Sequence, residues 1–219
     1  MNLYFISGLG ADERMFQKLT LPEEFKINHV KWPELSDDET LQTYCIKISK
    51  TIDTSQEFIF IGLSFGGIIA TEISKFLQPK LTIIISSIAT RNELPFYYKI
   101  FGVLRLNKLV PVYLFNKVYP FTYWYFGVTQ QKDKLLLKEI IHDTSPKFLN
   151  WAINEILNWQ NNVRPDNLYH LHGTNDRLFP FKFTKADIGL KNCGHLMVHI
   201  NANSISDLIK TRLISSNTN

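Results

Sequence analysis

Ser64, Asp176 and His195 are the residue types that nucleophilic catalysis uses, and each stands where a strand-like run gives way to a turn. Ser64 is the centre of Gly62-Leu63-Ser64-Phe65-Gly66, a G-x-S-x-G pattern. The apolar run Phe58–Ile61 precedes it and an apolar helical pattern through Ala70 follows it. Strand before and helix after is the context in which G-x-S-x-G forms a nucleophile elbow, a sharp turn that lifts one serine out of a sheet. Ser64 would then hold a strained backbone conformation, and side chains at 62 and 66 would clash across the turn. Gly67 would let the helix pack close to the sheet.

The elements that must position these residues follow from hydrophobic periodicity. Leu3–Ile6 predicts a first buried strand, followed by the turn Gly8-Leu9-Gly10. Asp12 predicts a cap for a helix carrying Met15, Phe16 and Leu19. Ile27–Val30 is a second strand. Ser36-Asp37-Asp38-Glu39 has the form of a capping box, and Leu41, Tyr44, Cys45, Ile48 and Ile52 make one apolar helical face after it. Gly66, Ala70, Ile73 and Leu77 share a face of the helix after the elbow, and Leu81–Ile85 is the next strand. Residues 91 to about 165 carry no strand pattern. The alternation resumes with strands at Leu168–Leu171 and Ala186–Leu190 and a last helix from Ser204, with Ile205, Leu208, Ile209 and Leu213 inward and a polar, frayed tail from Ser215 to Asn219. Alternating strands and helices imply an α/β fold: a mostly parallel sheet of about six strands with helices on both faces. Ligands in such sheets bind beyond the carboxyl ends of the strands. Ser64, Asp176, His195 and the Gly8-Leu9-Gly10 turn all fall there.

In the order Ser64, Asp176, His195 the sequence resembles the α/β-hydrolase superfamily. The run Phe5 to Phe16, of the form F-I-x-G-L-G-A-D-x-R-x-F, is similar to the opening of small bacterial serine hydrolases with a short core and a helical cap. The resemblance covers about 1–90 and 165–214. It implies an α/β-hydrolase core at 1–90 and 166–219, with 91–165 as the cap insertion. It also implies a catalytic triad. Ser64 is a poor nucleophile until His195 takes its proton, and Asp176 would hold the other ring nitrogen of His195 and stabilise the imidazolium. Two backbone N–H groups would form the oxyanion hole, Phe65 after the nucleophile and Leu9 in the first strand's loop. Many relatives carry H-G-x-G in that loop; here Ser7 stands in place of the histidine. Glu93, shortly after Leu81–Ile85, is the competing acid, because some relatives place theirs there. His172 reads as a turn-supporting residue. His195 and His199 are one helical turn apart, but no H-E-x-x-H is present and no metal site is expected.

Composition narrows the partners. With 219 residues and 45% hydrophobic side chains, the chain suits one α/β domain with an insertion. A net charge of +4 without a basic arm or a nucleic-acid motif argues against nucleic acid. Cys45 and Cys193 have no paired spacing and read as reduced thiols. No signal peptide and no run of about 18 apolar residues is present, so the expectation is a soluble, cytoplasmic protein. No cofactor is implied, and oligomeric state stays open.

The insertion is unusual. Phe96 to Phe126 holds 12 of the chain's 29 aromatic residues, with Lys99, Arg105, Lys108 and Lys117 and no acid. Pro95, Pro111 and Pro120 should break it into short helices. Leu135, Ile140 and Ile141 belong to one further helix, and Phe148, Trp151, Ala152, Ile156 and Trp159 suggest another. The leading expectation is packing on the core plus an apolar pocket lining. The other is an interfacial surface that meets membrane headgroups. The function expected is hydrolysis of a small, apolar ester, thioester or amide through an acyl-enzyme on Ser64. The same triad also serves acyl transfer, C–C hydrolysis and lyase chemistry, and a weakly catalytic binding protein is the alternative from another class.

Overall fold

A computed structural model describes residues 1–109 and 111–217, with the side chains of Asn107, Lys108 and Asn217 excepted. Six parallel strands form one sheet: β1 (Asn2–Ile6), β2 (Lys26–His29), β3 (Phe58–Leu63), β4 (Leu81–Ile85), β5 (Leu168–Gly173) and β6 (Ile188–Leu190). Their order is β2-β1-β3-β4-β5-β6. The order reverses between β1 and β3, which pair in the register Ile6↔Gly62. That reversal sets the Ser7–Gly8 turn beside the turn that follows β3.

Side chains alternate across each strand, and this divides the core in two. Leu3, Phe5, Ile59, Ile61 and Leu63 face one side, against Met15, Phe16 and the helix α8 (Ala202–Asn217) with Ile205, Ile209 and Leu213. Tyr4, Ile6, Phe58 and Phe60 face the other. There α1 (Leu41–Ser49) brings Tyr44 and Ile48, and α2 (Phe65–Leu77) brings Ile68, Ile69 and Ile73. Each such buried side chain contributes about 1.5–3 kcal/mol relative to exposure. Among the described residues no helix is long and apolar enough to cross a membrane.

Several local expectations shift. Asp12 does cap, but what it caps is a single 3₁₀ turn, Glu13–Phe16, with Leu19 beyond it. The capping box lies four residues later than Ser36–Glu39, at Thr40 and Thr43. Glu39 still accepts from the Ser36 N–H at 3.1 Å, but it also binds Lys47 and the Thr43 hydroxyl. These contacts hold its buried carboxyl down at about 2 against the cost of burial. Ile52 is buried beyond the end of α1. β6 begins at Ile188 rather than Ala186. Asp187 instead accepts from the His170 N–H with its carboxylate, at 2.7 Å, and pairs with Arg164. The last helix starts at Ala202 and runs through Ser215 and Ser216 to Asn217; Thr218 and Asn219 lie outside the described residues.

Between β4 and β5 no strand occurs among the described residues. This stretch holds α3 (Phe96–Val103), α4 (Pro120–Phe126), α5 (Gln131–Asp143) and α6 (Pro146–Asn158), with short 3₁₀ turns. Helix α6 is tied to the core. Its Glu155 accepts from the Leu41 N–H at 3.1 Å, and Trp151 Nε1 donates to Glu39 O at 2.9 Å. Phe148 and Trp151 join an aromatic cluster with Trp32, Tyr44 and Phe65. In α5 it is Leu137, with Ile140 and Ile141, that turns inward, while Leu135 is exposed.

Candidate active site

Ser64 sits between β3 and α2 with φ 51° and ψ −118°, a region L-residues rarely adopt. Such a conformation costs on the order of 1–3 kcal/mol, so surrounding contacts must hold it. They do: Ser64 N–H donates to Ile85 O at 2.9 Å, and Ser64 O accepts from Ser87 Oγ at 2.7 Å and from Gly67 N–H at 2.9 Å. Ser87 was not singled out by the sequence reading. The elbow glycines are explained by space. A Cβ on Gly62 would come within 2.6 Å of Gly67 Cα, across the turn as expected. A Cβ on Gly66 would instead overlap Ile6 O and Ser7 O at the end of β1. Helix α2 is therefore pressed against the neighbouring strand, and the obstacle is backbone that cannot yield. Gly66→Ala should destabilise the protein by about 3 kcal/mol, the upper part of the over-packing range, read from urea midpoints. A midpoint near wild type would show that this close approach is not essential.

The three residues expected to act together converge. Ser64 Oγ lies 2.9 Å from His195 Nε2, and His195 Nδ1 lies 2.7 Å from Asp176 Oδ2. Asp176 and His195 are almost wholly buried, and Ser64 is partly exposed. The other carboxylate oxygen, Oδ1, accepts from Leu178 N–H and Phe179 N–H, both at 2.9 Å. Burial alone would raise Asp176; His195, His172 and these N–H donors hold it below its ordinary value. His195 follows β6, three positions along the sheet from β3, beyond β4 and β5. The loop before it folds back over the sheet, anchored by Asn175 N–H on Cys193 O at 2.9 Å. Phe126 and Phe179 flank the imidazole, at 5.5 and 5.8 Å between centroids.

Phe65 opens α2, so its N–H lies in the unpaired first turn of the helix. Gly8 lies against Ser64: a Cβ there would be 3.3 Å from the Ser64 Cβ. Leu9 comes next and lines the same cavity as Ser64. Among the described residues, neither the Leu9 nor the Phe65 N–H has an acceptor. The Phe65 N–H thus adjoins Ser64 in the chain, and Leu9 lies on the cavity that Ser64 faces.

Glu93, the competing acid, has no contact with His195. It is buried 3.8 Å from His170 Nδ1. It leads instead into an array the sequence reading did not foresee. His170 Nε2 meets His172 Nδ1 at 2.9 Å, and His172 Nε2 meets Phe179 O at 2.7 Å and Asp176 Oδ2 at 3.4 Å. A carbonyl only accepts, so His172 carries its proton on Nε2, and His170 must donate from its own Nε2. His172 does support the turn, as expected, and it also backs the Asp176 carboxylate. The available signal was spacing: residues 170 and 172 share one face of β5.

Burial depresses both histidines, His170 well below its ordinary value, and raises Glu93. The unfolded chain therefore gains protons below about pH 6.5 that the folded chain refuses, and stability falls as pH drops through that window. Each histidine contributes a slope of up to about 1.4 kcal/mol per pH unit. Glu93 acts oppositely. Its folded carboxyl keeps its proton above 4.5, so its contribution is complete below that value and fades as pH rises. Urea midpoints should drop between pH 7.5 and 5.5, and His170→Gln with His172→Gln should flatten the profile. Midpoints that do not change with pH would refute this assignment.

A cavity of about 550 Å³ opens onto Ser64 and His195. Its walls are mostly apolar, from Leu63, Phe115, Phe121, Phe126, Ile140 and Leu149 among others. The insertion supplies most of them. Elsewhere, His199 Nε2 faces Asp133 Oδ1 at 3.6 Å, and Cys45 and Cys193 are free, buried thiols.

A six-stranded parallel sheet with helices on both faces, a strand-turn-helix serine, and an acid and a histidine in that order define the α/β-hydrolase fold, and this chain has it. No family model and no curated protein matches the sequence. Solved structures do match. MenH from S. aureus superimposes with a TM-score of 0.75 over 99% of this chain and 94% of its own, at 14% identity. A thermophilic esterase from Thermogutta terrifontis gives 0.71 over 99% and 90%, at 13% identity. A bromoperoxidase from Bacillus anthracis gives 0.71 over 100% and 92%, at 13% identity.

Proposed function

We propose that this protein is a serine hydrolase that cleaves small, apolar carboxylic esters through an acyl-enzyme on Ser64, with thioesters and amides as related substrates. The observation that carries the proposal is the continuous relay from Ser64 Oγ through His195 to Asp176, opening onto an apolar cavity. Ser64 Oγ attacks the ester carbonyl as His195 Nε2 takes its proton. Asp176 keeps the imidazolium in place. The oxyanion receives the Phe65 and Leu9 N–H groups, charge-assisted bonds that strengthen as negative charge develops. The tetrahedral intermediate collapses, the C–O bond breaks, and His195 returns the proton to the departing alcohol. A water, deprotonated by His195, then releases the acid and restores Ser64. Residues 91–165 act as a cap that gives the acyl chain its apolar surroundings.

The esterase among the structural neighbours supports the hydrolytic outcome, while MenH and the bromoperoxidase show that names differ widely on this fold. Intact mass after exposure to a fluorophosphonate tests the nucleophile: one adduct is expected on the wild type and none on Ser64→Ala. No adduct on the folded wild type would bring the binding-protein reading forward. Among soluble 4-nitrophenyl esters, kcat/KM should rise about fourfold per added methylene until the cavity is full. A flat profile would mean that the acyl chain lies elsewhere.

A further inference from the structure

Much of the aromatic part of the insertion faces outward. None of the 12 aromatic residues from Phe96 to Phe126 is buried, and seven are exposed. Aliphatic residues join them. Phe96, Ile100, Val103 and Leu104 lie at helical spacing along one stripe of α3 and its end, at 65, 52, 72 and 60% exposure. Only Gly102 of α3 is buried, and a Cβ there would meet Leu157 of α6, so the helix rests on α6 by its smallest residue and turns its large ones outward. Tyr119 and Phe121, stacked at 5.7 Å between centroids, are exposed and also line the cavity. At Tyr119 and Phe121 the exposed apolar surface therefore reaches the cavity that opens onto Ser64.

Its charge has one sign. From Leu94 to Lys132 the chain has no Asp or Glu, while Lys99, Arg105, Lys108, Lys117 and Lys132 are present. A two-fold pairing with a second copy would bring these cations against their own copies, which disfavours self-association. Exposed aliphatics, Tyr and Trp rings and basic side chains with no acid are what a negatively charged lipid surface receives: apolar groups enter the headgroup boundary and cations meet the lipid phosphates.

We propose that the outer face of α3, α4 and the turns between them docks on an anionic lipid bilayer, with the cavity mouth turned toward the lipid. Bilayer binding itself does not depend on turnover. The consequence for the hydrolase reading is that the substrate is an ester partitioned into the membrane.

Co-sedimentation with phosphatidylcholine vesicles, with and without phosphatidylglycerol, tests the docking on wild type and on Ser64→Ala. Both should sediment with the anionic vesicles only, and high salt should release them. Lys99→Gln with Arg105→Gln should weaken binding about 25-fold, fivefold for each cation removed. Ile100→Ser with Val103→Ser should weaken it about tenfold, and these exposed positions should leave the fold and the hydrolysis of a soluble short-chain ester unchanged. Wild type left in the supernatant with both vesicles, or binding unaffected by the variants, overturns the proposal. So does a dimer in sedimentation velocity that Ile100→Ser with Val103→Ser converts to monomer, because the face then belongs to a second copy. Vesicle binding without ester turnover leaves this inference standing and removes the hydrolase reading. Turnover without vesicle binding does the reverse.

Discussion

Ser64→Ala is expected to lower kcat on a soluble ester by about 10⁶-fold, the scale seen when the nucleophile of a serine triad is removed. The residual rate would come from binding and the two N–H donors. The variant should fold. Ser64 Oγ makes one hydrogen bond, to His195 Nε2, and its backbone is held independently by Ile85 O, Ser87 Oγ and Gly67 N–H. Stability should change by about 1 kcal/mol at most, the net value of one hydrogen bond. The strain at φ 51° is the same for alanine as for serine. Matched urea midpoints with lost turnover would assign the chemistry to the hydroxyl. Turnover near wild type would remove Ser64 from the mechanism.

Asp176→Asn should cost about 10⁴-fold in kcat with little change in KM, and the geometry says why. Oδ1 of Asp176 is fixed by two backbone donors, Leu178 N–H and Phe179 N–H. An asparagine must keep its carbonyl oxygen at that place, so its NH₂ group replaces Oδ2 and points at His195 Nδ1. Two donors cannot face each other, and His195 would move its proton to Nε2. In that tautomer Nε2 cannot accept the Ser64 proton. The lost rate should partly return at alkaline pH, where the hydroxyl needs less help. Glu93→Gln is the companion variant. Glu93 touches His170 and not His195, so activity should fall far less. A larger loss in Glu93→Gln than in Asp176→Asn would reverse the assignment.

Much of the site could be read from the chain because its parts are local. The elbow needs a strand, a serine and small residues within a dozen positions, and Phe58 to Ala70 supplies them. Five of the six strands begin within one residue of their expected positions because apolar runs between turn residues report burial on both faces of a parallel sheet. β6 began later because the side chain of Asp187 was recruited by His170 and Arg164. The capping box near Glu39 was displaced for a similar reason: Lys47 claims the carboxylate, and Glu155 of α6 caps Leu41 from 114 positions away.

What the sequence by itself determined is the set of reactive residue types and their places at strand ends, since backbone periodicity and steric need are properties of neighbours in the chain. Only the tertiary structure decided which of them meet. The pairing of β1 with β3 brings Gly8 against Ser64, the returning loop carries His195 over the sheet, and the turn after β5 gives Asp176 to His195 while Glu93 goes to His170. It also decided which side of the aromatic insertion is covered. Hydrophobic composition states that a segment gains by leaving water; which of its faces finds a partner depends on shapes and contacts made across the whole chain.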